Sequence, residues 1–237
     1  MNTTQVQQKA LDDAIVSPVD RLVFGKCNMR LKTDIKPKEA TFQVVLDALA
    51  LTPFYRAFLI TADVPAIYMQ EFWATASVHR SSIRFTINKK KVSLDVDIFR
   101  DILQFCPKIP GQVFEDLPLE QDILSFIRDL GHTGDITYLT DVNVDYLHQP
   151  WRAFATVINK CLSGKETGMD KIHLLFQIEY KDAKKTNKMS YPRFTKIIID
   201  YFMSKDLSIS RRNKIFWHTT QDDTLFTSMR CDRSHES

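Results

Sequence analysis

The stretch RFTINKKKVSLDVDIFRDILQFCPKIPG, residues 84–111, contains the change of period that decides the fold. Together with the residues before it, SSIRFTIN alternates Ile83, Phe85 and Ile87 with Arg84, Thr86 and Asn88, the two-residue period of a strand with one buried face. A turn at Asn88 and Lys89 leads to a second, shorter strand in KKVSL. From Leu94 the period lengthens. In DVDIFRDILQF, Val96, Phe99, Ile102 and Leu103 share a helical face, and Pro107 and Pro110 forbid continuation beyond Phe105. The triple lysine Lys89, Lys90 and Lys91 therefore falls on a turn and a strand start, where exposed lysines discourage edge-to-edge pairing. Three adjacent charges without a wider basic face make a weak phosphate site, so the structural role is the expected one.

Working outward, helical spacing dominates. KEATFQVVLDALALTPFYRAFLI places Phe42, Val45, Leu46 and Leu49 on one stripe, and Pro53 starts a second helix. Asp63 is the expected N-cap of VPAIYMQEFWATASVHR, with Ile67, Tyr68, Phe72, Trp73 and Ala76 turned to a core. PLEQDILSFIRDLG closes on Gly131. PWRAFATVINKCLSG starts at Pro150, ends at Gly164 and directs Trp151, Phe154, Val157, Ile158 and Leu162 inward. The last strong helix, YPRFTKIIIDYFMSKD, starts from Ser190 with Pro192 just inside it, and carries Phe194, Ile197, Ile198, Tyr201 and Phe202.

The expected fold is mainly α, a multi-helix domain with a small antiparallel β-hairpin near residues 82–94. Its organisation is an N-terminal arm over 1–38 with at most a short strand or helical turn, a helical core over 39–164, a poorly packed junction over 165–190, a helical region over 191–216 and a frayed tail over 217–237. A length of 237 residues with 44% hydrophobic and 26% charged content is enough for a sizeable core without metals or disulfides. Neither a basic-then-apolar leader nor a run of about 18 apolar residues occurs, so the expected location is intracellular, nuclear or cytoplasmic, with no membrane contact.

Catalytic signatures are absent from the sequence. Cys27, Cys106, Cys161 and Cys231 form no CxxC or Cys/His cluster, and Cys106 and Cys161 sit among apolar residues as structural thiols do. His79, His132, His148, His173, His218 and His235 show no metal-ligand spacing. The acid pairs Asp12/Asp13 and Asp95/Asp97 read as helix-start charge rather than paired catalytic carboxylates. No catalytic residue, metal or cofactor is expected.

Charge is the remaining signal. The net charge of +3 is unevenly distributed: residues 181–237 hold twelve Lys/Arg against seven Asp/Glu. Lys181, Lys184, Lys185, Lys188, Arg193, Lys196, Arg211, Arg212 and Lys214 interleave with Tyr191, Phe194, Tyr201 and Phe202, which makes this region the candidate polyanion contact. The bland alternative is a solvated face whose aromatics belong to the helix's own buried stripe.

The segments ATFQVVLDALALTPFYRAFLITADVPAIYMQEFWATASVH, RFTINKKKVSLDVDIFRDILQFCPKIPG, YLHQPWRAFATVINKCLSGKETGMDK and YPRFTKIIIDYFMSK resemble an abundant family of flowering-plant proteins encoded by transposable elements, labelled as retroelement or putative transposon proteins. WRAFATVINKCLSGK is the most specific part, and the opening stretch is loosely similar to the plant mobile domain. The resemblance implies a mostly helical protein of transposon origin without an established catalytic centre, and it carries over no site residues; the expected role is that of a noncatalytic protein- or nucleic-acid-interaction module. It also implies a copy that has lost a tryptophan-rich helix between GMDK and LLFQIE and departs from its relatives after SMRC. A degenerate copy without a selected role and an element-encoded enzyme, transposase-, nuclease- or protease-like, are the alternatives.

Overall fold

The computed structural model describes residues 3–24, 30–31, 40–104, 111, 118–162, 178 and 188–211. Its architecture is mainly α with two small sheets. In chain order the elements are α1 (Thr3–Asp13), β1 (Val23–Phe24), α2 (Ala40–Ala50), α3 (Tyr55–Leu59), α4 (Ala66–Thr75), β2 (Ser77–His79), β3 (Ser82–Ile87), β4 (Lys90–Leu94), α5 (Val96–Leu103), α6 (Glu120–Asp129), α7 (Trp151–Leu162), β5 (Lys188–Met189) and α8 (Pro192–Lys205).

The two-residue period of the opening stretch forms the centre of an antiparallel sheet with the order β2-β3-β4. Ile83, Phe85 and Ile87 are buried, and Ile87 pairs with Lys90 across a two-residue turn whose Asn88 and Lys89 both have positive φ, 51° and 66°. That combination is the mirror-image turn that matches strand twist. The hairpin gains a third strand, β2, which pairs Ser77 with Arg84 and His79 with Ser82. Three residues are too few to announce themselves by alternation.

β2 covers only one end of β3, and the rest of that edge is satisfied by side chains of α4. Thr75 Oγ1 accepts from Thr86 N at 2.9 Å. Glu71, 3% exposed, accepts from Asn88 N at 2.6 Å, Lys89 N at 2.7 Å and Thr86 Oγ1 at 3.0 Å. A buried carboxylate with three donors is tolerable where an unpaired one would not be. On the same helix Gln70 donates to Leu22 O at 2.9 Å and accepts from Leu22 N at 2.8 Å, holding the chain that enters β1.

Ile67, Tyr68, Phe72, Trp73 and Ala76 lie in the main core as their spacing predicts, but α4 is buried nearly all round, with Met69, Gln70 and Glu71 buried as well. α8 packs into that same core. Phe85 sits between Phe72, at 4.6 Å between ring centroids, and Phe202, at 5.6 Å, so the sheet's inner face is held between α4 and α8. Trp73 Nε1 donates to Thr195 Oγ1 at 3.2 Å, and Tyr68 OH to Ser210 O at 2.7 Å. A second cluster joins Leu49, Phe58, Val157 and Cys161 of α2, α3 and α7. A third gathers Leu124 and Ile127 of α6 with Ile136, Val142 and Leu147. Gly131, at φ 85°, follows α6 as expected, and a Cβ there would run into the His148 ring.

Several expectations are corrected. α1 is an eleven-residue helix where at most a turn was expected, and β1 pairs in parallel with β5 from the far end of the chain. Asp12 and Asp13 end that helix instead of starting one: Asp12 accepts from Gln8 and Asp13 pairs with Arg21 at 2.6 Å. Pro65, not Asp63, is the N-cap of α4, and Tyr191 in the left-handed region, not Ser190, is that of α8. Val96 and Trp151, expected on the buried stripes of their helices, are 45% and 44% exposed. Asp95 does cap α5, accepting from Ile98 N at 2.8 Å, with Asp97 in the first turn. Pro107, Pro110, Gly164 and nearly all of the junction over 165–190 lie outside the described residues; Ile178 and Met189 within it are buried.

Candidate functional site

Two of the nine candidate polyanion contacts, Arg193 and Lys196, lie on α8, and both are buried. Arg193 and Lys196 are 0% and 1% exposed. The Arg193 guanidinium donates to Ala57 O, Ile60 O and Cys161 O, each at 2.8 Å, and lies 4.7 Å from the centroid of the Phe194 ring. These carbonyls sit at the C-terminal ends of α3 and α7, where orphaned acceptors and the negative end of the helix dipole both favour a cation. Arg193 is therefore a tie from the main core to the second cluster, and neither it nor Lys196 can meet an external phosphate. The aromatics of the region are similarly used: Tyr191 stacks on Phe194, and Tyr201 meets Phe202 edge-on.

Of the other candidate residues, Lys188 on β5 and Arg211 after α8 are exposed. Arg211 has Asp200 as a neighbour, whose carboxyl is pushed up by burial against the opposing pull of Arg211. Lys181, Lys184, Lys185, Arg212 and Lys214 lie outside the described residues.

Cys161 occupies the second cluster beneath Arg193. Burial pushes its thiol up to about 12, only partly offset by the guanidinium, so at neutral pH it is a packed, protonated side chain and a poor nucleophile. Cys106 lies outside the described residues. Among the described residues, no group of three or more His, Cys, Asp or Glu is placed to hold a metal ion, and no helix is long and apolar enough to cross a membrane.

The sheet supplies what the helix does not. Strand parity turns every apolar residue of 77–94 inward: Ile83, Phe85, Ile87 and Leu94 are buried, and Val78 and Val92 pack against them. The opposite face carries Ser77, His79, Ser82, Arg84, Thr86, Lys91 and Ser93. Residues 77–94 contain Arg80, Arg84, Lys89, Lys90 and Lys91 and no Asp or Glu. Lys90 pairs with Ile87 and so lies on the inner side of β4, where it meets Asp206, at 2.7 Å, and Ser208. That contact holds the Asp206 carboxyl down at about 2. Arg80, Arg84, Lys89 and Lys91 remain exposed. Of the triple lysine, Lys91 shares the outer face with Arg84, since pairing places it opposite Thr86 and diagonal to Arg84, while Lys89 lies in the turn. Sequence spacing separates these residues by a hairpin, which is why the face is hard to see in one dimension.

A groove of about 490 Å³ beside α3 and α5 is lined by Tyr55, Arg56, Arg100, Asp101 and Gln104 among others. Its arginines are partnered, Arg56 with Gln104 at 3.4 Å and Arg100 with Asp97 at 3.8 Å, and its lining is of mixed charge.

Comparisons of the chain with protein-family models, with curated proteins and with solved structures find no match.

Proposed function

We propose that this chain is a noncatalytic interaction module of transposable-element origin that binds a protein or a nucleic acid partner. The reading rests on the outer face of the β2-β3-β4 sheet, which combines exposed cations and hydroxyls, lacks acidic residues over 77–94, and takes no part in the core. An exposed face whose charges are of one sign is suited to recognition. It is preferred to α8, where Arg193 is occupied in holding helices together and Lys196 is buried.

An electrophoretic shift series with DNA and RNA, run beside affinity capture on the immobilised chain, tests the proposal. Retention of a partner that is lost when Arg84 and Lys91 are reversed to Glu supports it. Turnover of a nucleic acid or peptide substrate by the purified chain would overturn its noncatalytic part.

A further inference from the structure

Resting on the reading of the sheet as a recognition face, we infer that the outer face of β2-β3-β4 binds the phosphate backbone of a nucleic-acid duplex, without base sequence preference, through Arg80, Arg84, Lys89 and Lys91. Position supports this first. Arg80 lies in the turn before β3 and Lys89 in the turn after it, so the six residues of β3 separate them, a span of roughly 20 Å at the rise of an extended strand. Between them, Arg84 and Lys91 are diagonal neighbours across the β3-β4 ladder, about 7–8 Å apart. Cations spread at such intervals meet a succession of phosphates better than one compact anion. Ser93 lies opposite Arg84 on the same face and offers a hydroxyl donor of the kind that positions a backbone, whereas the Ser77 and Ser82 hydroxyls donate to Arg84 O and His79 O.

What the face lacks selects among polyanions. Proteins that bind single strands on a sheet supply aromatic platforms for stacking bases. Here the Phe of the sheet, Phe85, points inward at 2% exposure, and the lone His79 ring at the end of β2 makes no platform for successive bases, so the face is suited to the backbone. A protein partner would want a desolvated apolar or aromatic anchor, and a membrane surface would want apolar side chains to insert. All the apolar residues of the three strands face the core. The nearest acids in sequence, Asp95 and Asp97, belong to the start of α5, and Asp95 is engaged on Ile98 N. They limit the face at the end of β4.

The test is fluorescence anisotropy of the whole chain with two unrelated 20-base-pair DNA duplexes over a salt series. Four phosphate contacts give a slope of log affinity on log salt near −3.6, about a hundredfold loss of affinity between 50 and 200 mM. Arg84→Ala with Lys91→Ala should lower that slope to roughly −1.8 equally for both duplexes, and Arg84→Glu with Lys91→Glu should abolish binding, with the thermal midpoint unchanged. Lys188→Ala with Arg211→Ala serves as the control pair and should leave the slope in place.

Tighter binding of a single-stranded oligonucleotide than of duplex, equal binding by the double Glu variant, or loss of binding in the control pair would overturn the duplex assignment. Polyglutamate and phosphatidylserine vesicles separate the two levels of the claim. Binding to either that depends on Arg84 and Lys91, with no duplex binding, leaves the recognition face standing and removes the duplex. Indifference of all four probes to both residues removes the recognition face as well.

Discussion

α8 and the β2-β3-β4 sheet have the same signature in sequence, basic residues threaded between aromatic and β-branched ones, and opposite structures. In the sheet, parity fixes direction: once Ile83, Phe85 and Ile87 face the core, Arg84 must face solvent. In α8 the residues from Pro192 to Ile199 are buried on every side, so a charge can lie inside if the fold brings it partners. Arg193 finds three carbonyls there. A charge in a strand is thus a surface feature almost by geometry, whereas a charge in a central helix can be a structural tie.

Removing Arg193 should break this comparison most severely. Arg193→Met leaves three buried carbonyls without a donor, and denaturant unfolding should register a loss of about 3 kcal/mol or more. Arg193→Lys should recover only part of it, because one ammonium does not reproduce the planar fork. Second in size is Glu71→Ala, which strips the acceptor from the Asn88 and Lys89 amides and the Thr86 hydroxyl, and should cost about 1–3 kcal/mol with hydrogen exchange rising first in the β3-β4 turn.

The third prediction concerns alkaline pH. The Cys161 thiol titrates higher in the fold than in the unfolded chain, so its contribution is fully present below the ordinary value of 9.0 and is lost as pH rises from there toward about 12. Cys161→Ala should lower stability at pH 7 and flatten the decline above pH 9. By contrast, Arg84→Ala and Lys91→Ala should change stability by no more than about 0.5 kcal/mol, as surface substitutions do, while weakening polyanion binding. The smallest effect belongs to Lys90→Ala. The Asp206 carboxyl is depressed by its bond to Lys90, so the difference between variant and parent should vanish as pH falls from 3.8 through about 2.

Much of the fold was legible where one local period runs long enough. The β3-β4 hairpin, its Asn88-Lys89 turn and the acidic start of α5 all follow from neighbours within a few residues. β2 was not legible, because three residues after a helix show no alternation. The β1-β5 pair joins Val23 to Lys188, and no local pattern encodes a partner so distant. Candidate-site reasoning failed on α8 for the same reason. The carbonyls that bury Arg193 come from positions 32 and 136 residues away, so composition showed the charge and not its partners. The basic sheet face was partly visible as the triple lysine, but Arg84 joins it only through the strand register.

Arginine-selective labelling with phenylglyoxal, read residue by residue by mass spectrometry on the native chain, tests the contrast most directly. Arg80 and Arg84 should be modified within the early time points, and Arg193 only after denaturant unfolds the chain. Modification of native Arg193 as fast as Arg84 would contradict the account.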